Sequence, residues 1–64
     1  MDYQSAITNA KAGTRVKRTG WTNEYIVQEG SGDNAKMVHV KTVVVKAPYT
    51  ATESDIMTND WTTA

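Results

Sequence analysis

Apolar side chains at Tyr3, Ala6, Ile7 and Ala10 follow the i, i+3, i+4, i+7 spacing of one helix face. Asp2 stands at the N-cap with Ser5 at the third helical position, and Gly13 supplies a left-handed stop, so the pattern predicts a helix over about 3–12. From Thr14 the spacing changes to alternation around Val16, predicting a strand over about 14–18 that stops at Thr19-Gly20. Tyr25-Ile26-Val27-Gln28 reads as a second strand, joined through Glu29-Gly30-Ser31-Gly32-Asp33-Asn34 to a Val-rich run from Met37 to Val45 as a hairpin. Within that run Val38, Val40 and Val44 share one face, while His39, Lys41, Val43 and Val45 fall on the other. The apolar face thus changes phase near Lys41-Thr42. That implies either a bulge or one strand whose second half is covered on both sides, by the helix and by a neighbouring chain. Pro48 ends the strand. Thr52-Glu53-Ser54-Asp55 has capping-box spacing ahead of Ile56-Met57, predicting a helical turn over about 53–58, and Trp61-Thr62-Thr63 suits a short closing strand.

Composition bounds how such a chain can hold together. At 64 residues it is a single domain, 1–64, of a size that buries too small a share of its surface to be comfortably stable alone. Domains this small usually lean on disulfides, a metal or partner subunits, and the chain has no cysteine. Homo-oligomerisation is therefore the expected source of extra stability. One histidine, no cysteine and carboxylates without the calcium-loop spacing leave no metal site, and no cofactor is implied.

Seven Lys/Arg balance seven Asp/Glu, which argues against bulk nucleic-acid binding. The distribution is uneven, with Lys11, Arg15, Lys17 and Arg18 early and Glu53, Asp55 and Asp60 late, so a local anion site in the N-terminal third stays open. No apolar run reaches a membrane span and Met1-Asp2-Tyr3 lacks signal-peptide character, pointing to a cytoplasmic protein.

Two clusters carry a resemblance. Ala6-Ile7 runs through Lys11-Ala12-Gly13 to Val16-Lys17-Arg18-Thr19-Gly20-Trp21, and Pro48-Tyr49-Thr50-Ala51-Thr52-Glu53-Ser54-Asp55-Ile56-Met57 runs to Asp60-Trp61. In this order and spacing they resemble the second type of phage Thoeris anti-defence protein, over about half of the chain. The middle departs from that family's pattern, since Thr22-Asn23-Glu24 leads straight into a strand. The resemblance implies an α+β fold, with an N-terminal helix on a small twisted antiparallel sheet and a short helical turn before the C-terminal strand. It also implies a homo-oligomer, commonly a tetramer, in the cytoplasm of the infected bacterial host. Family members act as sponges that sequester nucleotide immune signals, notably cyclic ADP-ribose isomers and in some cases cyclic oligonucleotides, without cleaving them.

Holding a nucleotide calls for aromatic faces for the base, donors for the pyrophosphate and polar groups for ribose hydroxyls. The candidate ligand-binding residues are Arg18, Trp21, Tyr49, Thr52 and Asp55. Trp21, after a Gly turn, offers an aromatic plate beside the Arg18 cation; its bland alternative is core or interface packing. Tyr49 offers a second wall or packs on Pro48 and Trp61. Thr52 and Asp55 are most simply a helix cap, whose free N–H groups also suit an anion, and the resemblance adds a contact from Asp55 to ribose hydroxyls. Arg15 and Lys17 are expected to face solvent, Asp60-Trp61 to be structural, His39 to lie at a surface or interface, and Gly30-Ser31-Gly32 to be a turn. No nucleophile or acid–base pair is spaced for catalysis, so no enzyme is expected. Two other classes stay open: a structural or host-protein-binding phage accessory, and a module for single-stranded nucleic acid.

Overall fold

The computed structural model describes residues 1–42 and 45–64. Helix α1 spans Tyr3–Lys11, its N-terminus capped as the sequence requires: the Asp2 carboxylate accepts from the Ser5 N–H at 2.8 Å. Gly13, at φ +93°, lets the chain leave the helix in the left-handed region. Strands β1 (Val16–Arg18), β2 (Glu24–Glu29), β3 (Lys36–Lys41) and β4 (Val45–Pro48) follow, then the short helix α2 (Glu53–Met57) and β5 (Trp61–Thr63). All pairings are antiparallel, in the order β4-β3-β2-β1-β5. The fold is α+β. A 3₁₀ turn at Gly32–Asn34 sits in the β2–β3 connection, agreeing with the Gly30-Ser31-Gly32 turn. The α2 capping box is complete, with Thr52 Oγ1 accepting from the Asp55 N–H and the Asp55 carboxylate accepting from the Thr52 N–H.

The expected single strand from Met37 to Val45 is not what forms. The chain reverses after Lys41 and returns as β4, with Lys41 opposite Val45 and Val38 opposite Pro48. Thr42 takes a left-handed φ of +52°, which a continuing strand does not permit. The phase change in the apolar pattern is therefore a hairpin rather than a bulge. The expectation for Val43 and Val44 lies outside the described residues. On a single copy every β4 residue is exposed, so α1 does not cover the second half of the run. Pro48 sits at the end of this edge strand, where a missing N–H costs no ladder bond.

Strand alternation and register decide what each sheet face carries. Val16 pairs with Ile26, Arg18 with Trp61 and Ile26 with His39, so these five residues share one face. Ala6 and Ala10 of α1 pack on it, forming with Val16, Ile26 and Trp61 a core that Tyr3, Ile7, Trp21, Met37 and Tyr49 flank. Small alanines let the helix approach closely. Full burial of Val16 and Ile26 contributes about 1.5–3 kcal/mol each. Val38 and Val40 point to the opposite face with Tyr25 and Val27. They are buried there without a helix above them; Tyr25 and the Lys46 stem flank Val40 in the register.

Candidate functional site

A polar knot joins the end of β1 to α2. The Arg18 guanidinium lays a fork on Asp60, with Nε to Oδ1 at 3.0 Å and Nη2 to Oδ2 at 3.3 Å. Its Nη1 donates to Ser54 Oγ at 3.1 Å and to Asp55 Oδ1 at 3.3 Å. The Tyr49 hydroxyl donates to Asp55 Oδ2 at 2.9 Å, and the Trp61 indole N–H donates to the Asp55 backbone carbonyl at 3.0 Å. Asp55 is thus a buried carboxylate whose two oxygens serve one cation, one phenol and the helix cap. Such a group is tolerable in the interior because each of its oxygens has at least one donor.

The electrostatics follow from this pairing. Hydrogen bonding to Arg18 holds the Asp60 carboxyl below its usual range, and the same bond raises the guanidinium further. Burial pushes the Tyr49 phenol far up, and its bond to the Asp55 carboxylate adds to the effect. Arg18 already faces two carboxylates, so its attraction for an incoming anion is largely cancelled. What the knot offers a ligand is hydrogen-bonding edges.

Aromatic rings form a row beside the knot on the same sheet face. Tyr3 and Trp61 lie 6.0 Å apart, Trp61 and Trp21 meet edge to face at 5.3 Å, Trp21 and His39 stack at 5.0 Å with 16° between planes, and His39 meets Tyr49 edge-on at 5.8 Å. Tyr49 belongs to both assemblies. Arg18, Tyr49, Thr52 and Asp55 are therefore together in the knot, and Trp21 stands in the ring row that joins it through His39 and Tyr49. Trp61 is buried at 2% exposure, as the structural reading of Asp60-Trp61 requires, while Trp21 is only half-buried.

His39 and Glu24 were not among the sequence candidates. His39, expected at a surface or interface, is a half-buried member of the ring row, and its Nε2 lies 2.6 Å from the Glu24 carboxylate. The available signal was Glu24 in phase with Ile26; only the β2–β3 register, with His39 opposite Ile26, brings the histidine onto that face. Among the described residues no group of three His, Asp or Glu side chains converges to hold a metal ion.

The knot is built from the two sequence clusters, and the ring row adds Tyr3 and His39 from outside them to Trp21, Tyr49 and Trp61. The matching family model spans all of these, describing the Thoeris anti-defense 2-like domain over residues 1–64. The chain belongs to that family. Membership gives it a Thoeris anti-defence role. No curated protein and no solved structure matches it. Among the described residues no helix is long and apolar enough to cross a membrane.

Proposed function

We propose that this Thoeris anti-defense 2-like domain acts as a sponge in the cytoplasm of the infected host. It binds a nucleotide immune signal of the cyclic ADP-ribose class, or a cyclic oligonucleotide, and holds it without cleaving it. The observation that carries this reading is the half-buried Trp21–His39 stack set beside the hydrogen-bonding knot of Arg18, Tyr49, Thr52 and Asp55. A purine has the same flat shape as the rings already stacked there, and the knot supplies polar edges for ribose hydroxyls.

Homo-oligomerisation, tetrameric in the arrangement the family resemblance implies, completes the proposal by enclosing the ligand between subunits. Its support is the apolar surface left uncovered on one copy: Ile56 at 53% and Met57 at 78% exposure on α2, and the fully exposed edge strand β4. Neither Ile56 nor Met57 contributes to the core of the single chain.

The test is mass spectrometry of small molecules released by heating the protein after incubation in an extract with active immune signalling. Release of an intact nucleotide in near-stoichiometric amount supports the sponge. Release of nothing, or of a hydrolysed product only, refutes it.

A further inference from the structure

We propose that a cleft at the end of β1 and β2, built by Arg15, Lys17, Asn23 and Tyr25, is a binding site for a phosphate-bearing ligand. It is an open cleft of about 230 Å³, with Glu24 and Ala64 completing its wall, and contains none of the knot residues. The argument begins with the fate of the four early cations. Arg18 is held by Asp55 and Asp60. Lys11 lies in the last turn of α1, where a positive charge complements the helix dipole. Arg15 and Lys17 are different: among the described residues neither forms an ion pair, and both line the same cleft.

Each of them is also held in place. The Arg15 guanidinium lies over the Tyr25 ring, 4.6 Å from its centroid. Stacking on a ring fixes the guanidinium plane while leaving its N–H edge available for the forked bonds that phosphate oxygens accept. The Lys17 ammonium donates to the Trp21 backbone carbonyl at 3.4 Å, which anchors it near the cleft with two donors remaining. Asn23 adopts a left-handed φ of +55°, a conformation asparagine tolerates better than most residues, at the turn that closes the cleft. The side-chain carboxylate in the wall, Glu24, is hydrogen-bonded to His39.

A second groove on the molecule sharpens the choice. It encloses about 200 Å³ between β3 and β4 and also carries two lysines, Lys36 and Lys46. There Glu29 lies 2.8 Å from the Lys46 ammonium and offsets its charge. The Arg15–Lys17 cleft therefore has the stronger claim on a doubly charged phosphate group, whether that group belongs to a nucleotide or to free inorganic phosphate.

The proposal does not rest on the sponge reading, because its probe is inorganic pyrophosphate, which has no ring to stack. The full chain is titrated with pyrophosphate at low salt and followed by amide chemical shifts and calorimetry, with circular dichroism confirming the fold of each variant. Saturable binding is expected, centred on the amides of residues 15–17 and 23–25. Arg15→Gln and Lys17→Gln each weaken it about tenfold, the loss of one charge-assisted contact; Tyr25→Leu weakens it through loss of the Arg15 support; Lys36→Gln leaves it unchanged. Adding ADP in a parallel arm separates the two ligand sources, since a nucleotide site holds ADP more tightly than pyrophosphate and a simple phosphate site does not. The proposal is overturned if the wild type shows no saturable binding, or if Lys36→Gln weakens binding as much as Arg15→Gln does, which reduces the effect to general charge attraction.

Discussion

Replacing Asp55 by asparagine tests whether the polar knot is a built element of the fold. The side chain keeps its shape and loses its charge and one acceptor. Asp55 is 6% exposed, its Oδ2 accepting from the Tyr49 hydroxyl at 2.9 Å and from the Thr52 N–H at 3.3 Å, and its Oδ1 from Arg18 at 3.3 Å. In either orientation of the new amide, an NH₂ group faces donors. Turned toward Oδ2, it leaves the Thr52 N–H orphaned, though the Tyr49 hydroxyl can rotate to accept; turned toward Oδ1, it meets the guanidinium. A hydrogen bond to a buried charged group contributes about 1.5–3 kcal/mol, and leaving a donor unsatisfied costs a similar amount, so Asp55→Asn is expected to destabilise by about 2–3 kcal/mol. For a domain of this length that lowers the melting temperature by about 10–20 °C. Tyr49→Phe removes one bond and no charge and is expected to cost about 1 kcal/mol. Thermal and urea unfolding, followed by far-ultraviolet circular dichroism at one fixed protein concentration, read both changes. A melting temperature for Asp55→Asn within about 2 °C of wild type refutes the reasoning, because a carboxylate so placed then contributes no more than a surface group.

Two further outcomes follow from local geometry and charge. Gly30 has φ +82°, and a Cβ added there stands 2.5 Å from the Asn34 carbonyl oxygen; Gly30→Ala is expected to cost about 1–3 kcal/mol and to speed amide exchange across the β2–β3 hairpin, whereas Gly32→Ala, facing open space, costs less. The depressed Asp60 carboxyl contributes stability that is complete above the ordinary carboxylate value of about 4 and is lost as pH falls through its lower folded value. The raised Tyr49 phenol acts with opposite sign: its contribution is complete below about pH 10 and declines as pH rises beyond it. Urea midpoints measured across pH should trace both limbs, and Asp60→Asn should flatten the acid limb; an unchanged acid limb removes Asp60 as its source.

Much of this molecule is local and was legible in the chain. The Asp2 cap, the left-handed exit at Gly13, the Thr52–Asp55 capping box and the Gly-rich hairpin each depend on residues a few positions apart. Their physics is complete within one turn, so reading residue types in order was enough. The five candidate residues were also recognisable as chemically apt, although not their arrangement. The Val-rich run illustrates the limit. A two-residue period reads the same in one long strand and in two short ones, and only the reversal after Lys41 distinguishes them. The same period did not reveal that Val38 and Val40 turn away from α1 while His39 shares its face, because both sheet faces carry buried side chains and alternation has no sign.

Tertiary structure alone decided how the charges are spent. Arg18 and Asp60 are 42 positions apart, and Arg18 and Asp55 are 37 apart, yet β1 pairing with β5 brings all three together and leaves Arg15 and Lys17 without ion-pair partners among the described residues. The sequence singled out Arg18 for a ligand and sent Arg15 and Lys17 to solvent, without showing which carboxylates each cation meets. Coulombic pairing acts through space, so which of them stay available to a ligand depends on where the fold brings the carboxylates.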